Sequence, residues 1–358
     1  MLNQETGWQT SLEPAICENC DWRYLLPPGR LPLICPHCFK SELTPLPAAS
    51  AEEGANRPPE LLLPFTVSDA HVSHMIEAFA GGIRFAPTDL SPQNLMARLQ
   101  KVYLPMWLVD SDVAATWQAE VGFNYDAVSH RDQFDENQSG WVSEQITETR
   151  IRWEPRAGRL TRHYDNIVAP ALEEHSQLNG RLGPYELTKA QPYQPQTVAG
   201  SLIRLPNRSP DDAWPEAMPE LQTQATEECR QACQANHLRD FRWQAAYAQQ
   251  NWTLLLLPAY TTYYLDDTQA AIPLLIHGQA GRLSGRRQAS MKRAKRATML
   301  MVGLAIAIFS LSLMVALAAY FFASSFLTLA MLGMFLAFVV GLAGLTPLLM
   351  VRQFNRNN

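Results

Sequence analysis

Four of the six cysteines stand in two C-x2-C pairs, Cys17-Glu18-Asn19-Cys20 and Cys35-Pro36-His37-Cys38. A two-residue gap lets both thiolates of a pair point at one ion, and two pairs supply the four soft ligands of a closed tetrahedral zinc site. With Cys17, Cys20, Cys35 and Cys38 all committed to the ion, no position is left for water, so the zinc is expected to be structural. His37 lies inside the second pair and is expected to point outward. A redox dithiol, the competing reading, would need a larger surrounding fold.

The elements that position these thiols are short. Trp22–Leu26 and Leu31–Ile34 are expected to form two strands around Pro27-Pro28-Gly29-Arg30, whose prolines and glycine suit a tight turn. This reads as a zinc ribbon over residues 1–45. A segment of about 45 residues buries too little apolar surface to fold alone, and metal binding supplies the difference, on the order of 10 kcal/mol in small zinc domains. Residues 46–60, rich in Pro and Ala, read as a linker that leaves the ribbon mobile.

The other end of the chain sets the compartment. Met299–Phe322 and Leu327–Val351 are two long runs without a charged residue, separated only by Ala323, Ser324, Ser325 and Phe326. About 20 apolar residues span a bilayer at 1.5 Å per residue, so residues 298–351 are expected to form a two-helix transmembrane hairpin. Lys292, Arg293, Lys295 and Arg296 precede it and Arg352 and Arg356 follow it, while the loop carries no charge. By the positive-inside rule both termini face the cytoplasm, across a bacterial inner membrane. Met1–Thr10 has neither a basic start nor an apolar core, so a secretory signal is not expected there. No Asp, Glu, Lys, Arg or His lies between Met299 and Val351, which disfavours a pump or transporter. Gly333, Ala337 and Gly341 form a small-residue stripe suited to packing within the hairpin or, as the alternative, to a homo-oligomer. Residues 286–297 are a basic collar, read as a topology signal that also contacts membrane lipid headgroups.

Charge is polarised along the chain. The net value of −5 over 358 residues divides into eight basic residues and no acid from Arg286 onward, and −13 for residues 1–285. Residues 1–45 hold Arg23, Arg30 and Lys40 against Glu5, Glu13, Glu18, Asp21 and Glu42. Such a surface repels phosphate backbones, so nucleic acid is not an expected partner.

Residues 61–285 read as an α+β domain facing the cytoplasm. Ser68 or Asp69 caps a helix that runs to about Ala80 and stops at Gly81-Gly82, and Ser91-Pro92 opens a second through Gln100. Strands are expected at Val102–Val109, Ala115–Tyr125, Ile146–Trp153 and Leu160–Val168, with a turn at Glu154–Gly158. Gly183–Pro195 reads as loop. Glu216–Gln249 reads as a long helix, followed by a hairpin of Thr253–Leu265 and Ala271–His277 across Asp266-Asp267. Cys229, Cys233 and His237 would share a face of that helix, as would His71, His74 and Glu77 of the first one. Neither set completes a metal site. No nucleophile motif or nucleotide-binding loop is present in the sequence, and no catalytic residue is assigned.

The order of these parts resembles bacterial TFIIB-type zinc-ribbon membrane proteins, some titled primosomal helicase-like. The knuckles CENC and CPHC, the strand YLPMW, and WTLLLLPAYTTYYL with IHGQAGRLSG before the basic run carry the resemblance over nearly the whole chain. It implies a membrane anchor in envelope stress, with PspA-like or SPFH-domain proteins as partners. The expected function is therefore a membrane-anchored zinc-ribbon adaptor that recruits protein partners; the alternative is a membrane-tethered nucleic-acid-binding protein.

Overall fold

The computed structural model describes residues 12–47, 58–135, 140–322 and 326–357. In chain order the strands are β1 (Glu13–Ile16), β2 (Arg23–Leu26), β3 (Thr44–Pro45), β4 (Leu61–Leu62), β5 (Gln100–Asp135), β6 (Gly140–Ala169), β7 (Gln191–Pro192), β8 (Leu202–Arg204), β9 (His237–Leu265), β10 (Ala271–His277) and β11 (Leu283–Gly285). The helices are α1 (Asp69–Ala80), α2 (Pro92–Ala97), α3 (His175–Leu182), α4 (Pro210–Ala232), α5 (Met291–Phe322), α6 (Phe326–Ala343) and α7 (Thr346–Asn357). The mixture of helix and mainly antiparallel strand is the expected α+β class. Two compact units divide the chain: residues 1–104, 176–205 and 256–358 form the first unit, and residues 105–175 and 206–255 the hairpin unit.

The sheet of the first unit has the order β11-β10-β9-β5-β8-β2-β1-β3. β5 and β8 run parallel, with Val102 opposite Leu202, whereas β8 and β2 are antiparallel, with Tyr24 opposite Arg204. β1, β2 and β3 therefore form one edge of this sheet. That corrects the expectation of a ribbon left mobile: Leu12 and Leu25 are buried in one cluster with Tyr103, Ile203 and Leu256. Of the linker reading, residues 48–57 lie outside the described residues. The strand expected at Leu31–Ile34 does not form, and only Ile34 bridges, to Glu42. β2 is paired on both sides instead, by β1 and β8.

Alternation along β9 serves two layers, because successive strand residues face opposite sides. Tyr260 and Tyr264 bury against Val72, Ile76 and Phe79 of α1 and Leu95 of α2, and the Thr262 hydroxyl donates to the Leu95 carbonyl at 2.7 Å. Thr261 and Tyr263 face the cysteine-bearing segment. The start and stop of α1 follow the sequence: Ser68 caps the His71 N–H, and the Gly81 N–H closes on the Glu77 carbonyl. α2 ends at Ala97, short of Gln100, because Gln100 already enters β5. The expected loop over residues 183–195 contains a 3-10 turn, Leu187–Lys189, and β7.

The hairpin unit departs most from the sequence reading. β5 and β6 pair without interruption from Trp107↔Ala169 to Asp135↔Gly140, apart from a bulge at Val109/Ser111, a ribbon of roughly 95 Å at ~3.3 Å per residue. The turn expected at Glu154–Gly158 is strand interior. Pro155 lies opposite Glu120 and Gly158 opposite Trp117, where a Cβ on Gly158 would stand 3.1 Å from the Trp117 ring. Glycine at this point makes room for an aromatic neighbour and does not turn the chain.

α4 ends at Ala232 and not near Gln249. Its end is a Schellman motif: Gln234 adopts φ 52°, the Ala235 N–H bonds the Arg230 carbonyl and the Gln234 N–H the Gln231 carbonyl. Residues 237–249 then enter β9, with Phe241, Trp243, Ala245 and Tyr247 alternating on its half-buried face. Ala213, Ala217, Leu221, Ala225 and Cys229 form the buried stripe of α4, and the first four share one cluster with Trp107, Val113, Tyr164 and Trp252 of the strands.

Two C-terminal helices are long and apolar enough to cross a membrane. Their outer faces are open, with Leu300 76%, Phe335 67% and Phe338 63% exposed. The Gly333-Ala337-Gly341 stripe packs within the hairpin: Ala330 and Ala337 are buried, and Gly333 meets Ser312 of α5. One boundary moves. The run expected to end at Val351 breaks after Ala343, where Gly344 and Leu345 turn and Pro347, which has no N–H to donate, stands in the first turn of α7. α6 alone has 18 residues, or about 27 Å at 1.5 Å per residue.

Candidate metal centre

Each cysteine pair is shaped by the same local backbone. After β1 the chain reaches Cys17, and the Asp21 N–H returns to the Cys17 carbonyl at 2.8 Å with Asp21 at φ 56°. Around the second pair, the Phe39 N–H returns to the Cys35 carbonyl at 3.1 Å with Phe39 at φ 54°. In both, the residue after the second cysteine takes the left-handed conformation, uncommon for any residue with a Cβ. Two equivalent loops thus aim four sulfurs inward.

The four Sγ atoms of Cys17, Cys20, Cys35 and Cys38 all lie within 4.8 Å of one another. Two approaches join one pair to the other, Cys17 to Cys38 at 3.5 Å and Cys20 to Cys35 at 3.7 Å. A tetrahedral ion with metal–sulfur bonds of ~2.3 Å needs sulfurs roughly 3.8 Å apart. The cluster can therefore bind a metal ion with little adjustment. Cys17 and Cys35 are buried, while Cys20 and Cys38 are partly exposed.

Electrostatics point the same way. Burial pushes the Cys35 thiol up to about 11, and burial followed by the charge of Cys35 raises Cys20 as well. Burial also works against Cys17, yet the Ser41 hydroxyl, 3.2 Å from its sulfur, and the Asn19 N–H outweigh it and bring the thiol down to about 7. A set of four close thiols resists holding four negative charges unless a cation sits among them.

The supporting residues come from distant parts of the chain, and sequence reading missed them. The buried Arg204 of β8 donates to the carbonyls of Arg23 and Leu205 at 3.1 and 2.6 Å, and its guanidinium lies 4.5 Å from the centre of the Trp22 ring. His37 stacks on Trp22 with centroids 3.5 Å apart and planes 6° off parallel, outside the sulfur cluster. Burial, and then Cys35, push the Tyr24 phenol well above its ordinary value, so it stays protonated. On β9, Thr261 donates its hydroxyl to the Pro36 carbonyl at 2.9 Å, and Tyr263 receives Phe39. Only the burial of β8, a run of three residues read as Leu-Ile-Arg, could have hinted at Arg204.

The other candidate groups do not assemble. Cys229 is buried on α4 and Cys233 caps its end, but His237 has left the helix for β9, where its Nε2 lies 2.8 Å from Asn124 Oδ1. His71, His74 and Glu77 lie exposed on α1. The Gly278–Gly281 turn is organised by buried His277, whose Nδ1 accepts the N–H groups of Gln279 and Ala280, both at 3.0 Å. Among the described residues the four cysteines are the one such cluster able to hold a metal. Comparison with family models, with curated proteins and with solved structures finds no match.

Proposed function

We propose that this chain is a membrane-anchored scaffold facing the cytoplasm, in which a structural zinc ribbon stiffens the first unit and protein partners are recruited to the inner membrane. The observation that carries this reading is how the apolar helices join the body. Val351, Leu348 and Phe354 of α7 pack with Ala289, Met291 and Ala294 at the start of α5 and with Ile83 and Phe85 of the loop after α1, while the remaining faces of α5 and α6 stay open. Such helices belong in lipid, and a body fixed to them in this way is held at the membrane surface. The surplus of basic residues beside the spans supports cytoplasmic termini. Four soft ligands with no open position support zinc in a structural role.

The docked position of the cysteine segment moves the partner-binding role elsewhere. β5 and β6 continue beyond the first residues of β9, where Asn236 meets Gly122 and Asn124, and there Tyr125, Val128 and Ile151 are 45%, 59% and 41% exposed. We assign the recruiting surface to this part of the hairpin. The resemblance to the zinc-ribbon membrane family supports PspA-like or SPFH-domain proteins as the partners to look for first.

Affinity isolation of the tagged full chain from crosslinked membranes tests this reading, beside variants with residues 124–151 replaced by a short turn or with Cys17→Ser/Cys20→Ser. Recovery of a defined membrane or stress protein, lost when the hairpin is shortened, supports it. Nuclease-sensitive nucleic acid in place of a protein would establish the tethered nucleic-acid reading instead.

A further inference from the structure

Seven of the eight basic residues from Arg286 onward, all but Arg286 itself, fall into two groups. Arg287 donates to the carbonyls of Ala78, Phe79 and Gly81 at 2.9, 2.8 and 3.2 Å, closing the end of α1. Arg293 donates to the Ala86 carbonyl at 2.8 Å, and the Lys292 ammonium to that of Asp267. These three hold the body together. Lys295, Arg296, Arg352 and Arg356 are all exposed, and among the described residues none has a carboxylate within ion-pair distance.

Their positions follow one rule. On α5, Lys295 and Arg296 are each followed four residues on, along the same stripe, by Met299 and Leu300, which are 70% and 76% exposed. On α7 the order is reversed: Leu345, in the turn just before the helix, and Leu349, 49% and 63% exposed, precede Arg352 and Arg356, and the spacing of three and four places Leu349 and both arginines on one stripe. The opposite face of α7, with Pro347 and Val351 buried, is docked on the body. Asn355 pins it there, accepting the Ala289 N–H at 2.7 Å and donating to the Ala289 carbonyl at 2.9 Å. Both helices thus change from apolar to cationic along a stripe beside their junction with the body. α7 begins where α6 has already covered about 27 Å, close to the ~30 Å of a hydrocarbon core.

We infer that α7 and the first turns of α5 form a binding site for anionic phospholipid headgroups, with Lys295, Arg296, Arg352 and Arg356 as its cations and Leu345, Leu349, Met299 and Leu300 bordering the acyl region. The inference rests on the membrane reading above and adds a lipid class to it. Four exposed cations with no carboxylate in ion-pair distance among the described residues favour a phosphate that carries net negative charge over a zwitterionic headgroup.

The test uses the full chain in nanodiscs of equal phosphatidylglycerol and phosphatidylcholine, with lipids retained on the protein counted by native mass spectrometry after detergent transfer. The native protein is expected to retain phosphatidylglycerol preferentially. Arg352→Gln/Arg356→Gln and, separately, Lys295→Gln/Arg296→Gln are each expected to cut that preference at least about fivefold, since one cation near an anionic surface contributes roughly that factor. Arg287→Gln, which removes a cation used inside the body, is expected to lower thermal stability and leave the preference unchanged. An equal yield of both lipids from the native protein overturns the inference, as does an unchanged preference in both double variants. Displacement of phosphatidylglycerol by millimolar inorganic phosphate would assign the site to free phosphate and also overturn it. Release of the chain from membranes by alkaline carbonate would instead defeat the anchor reading on which the site rests.

Discussion

The ring of Phe39, directly after the last cysteine of the cluster, packs on the ring of Tyr263 in β9 with centroids 4.7 Å apart. The cysteine loop is therefore part of the sheet's packing. Metal loss is expected to destabilise the first unit as a whole. Treatment with a strong chelator, or Cys20→Ser, should abolish stoichiometric metal binding and lower the melting temperature of the full chain in detergent. Phe39→Ala should keep the metal and cost about 3–5 kcal/mol at most, the range for deleting a buried aromatic. Metal analysis beside thermal unfolding checks both. Metal removal with no change in the unfolding of β9, followed by hydrogen exchange of residues 256–265, would contradict the coupling.

Asp89 offers a pH test. Its carboxylate accepts two hydrogen bonds from Arg98 at 2.6 and 2.9 Å and one from the Leu265 N–H at 2.7 Å. Burial acts against ionisation, but Arg98 and the Leu265 N–H outweigh it and hold the carboxyl below its ordinary value. A depressed folded-state pKa means the stabilisation is intact above the unfolded value of about 4 and is lost as pH falls through the folded value. Asp89→Asn should cost about 2–3 kcal/mol at neutral pH. It should also flatten the acid limb of the stability–pH curve below about pH 4. An equally steep acid limb in the variant would assign the acid sensitivity to other groups.

His277 predicts a second, separate limb. Burial, chiefly, holds its imidazole below the ordinary value, while Arg282 adds to the shift and the bond to the Pro184 carbonyl opposes it. Its Nδ1 must stay unprotonated to accept two backbone N–H groups. Since the unfolded imidazole protonates first, stability should decline as pH falls below about 6.5. His277→Asn, which keeps an acceptor but does not titrate in this range, should remove that slope. Urea unfolding between pH 7 and 5 measures it.

Inside the apolar hairpin, Gly333 and Gly341 should respond differently. A Cβ on Gly333 would collide with Ser312 Oγ, which already bonds the Ile308 carbonyl at 2.7 Å, whereas one on Gly341 would rest 3.8 Å from Ala305 Cβ. Gly341→Ala should be neutral or slightly stabilising. Gly333→Val should separate α5 and α6, with a loss of about 1–3 kcal/mol, read as lower thermal stability in detergent. Equal effects at both positions would count against the close crossing at Ser312.

Much of this architecture was readable from local chemistry. The cysteine spacing, the Ser68 cap with its Gly81 stop, the β9–β10 turn over Asp266-Asp267 and the two apolar runs each carry a signal within a few residues. The misreadings arose where that signal was supplied from elsewhere. Gln234 ends α4 in a conformation usually given to glycine, so no stop was visible. Pro155 and Gly158 mark turns in most sequences, but here a 28-residue register with β5 overrides them. The supports of the metal centre, Arg204, Thr261 and Tyr263, lie far along the chain from the cysteines, and no spacing rule reaches that far.

The docking of the cysteine segment also has a consequence for biosynthesis. Pro36 and the Thr261 that holds it are 225 positions apart, so at ~5–20 residues per second the ribosome needs roughly 10–45 s to deliver the second after the first. During that interval β2 waits for β8, and the loop around Cys35 waits for β9. The thiols can capture an ion as soon as Cys38 emerges, whereas the surface they dock on is finished only shortly before the apolar helices follow. Metal capture comes early in the life of the nascent chain, and the closing of its sheet nearly last.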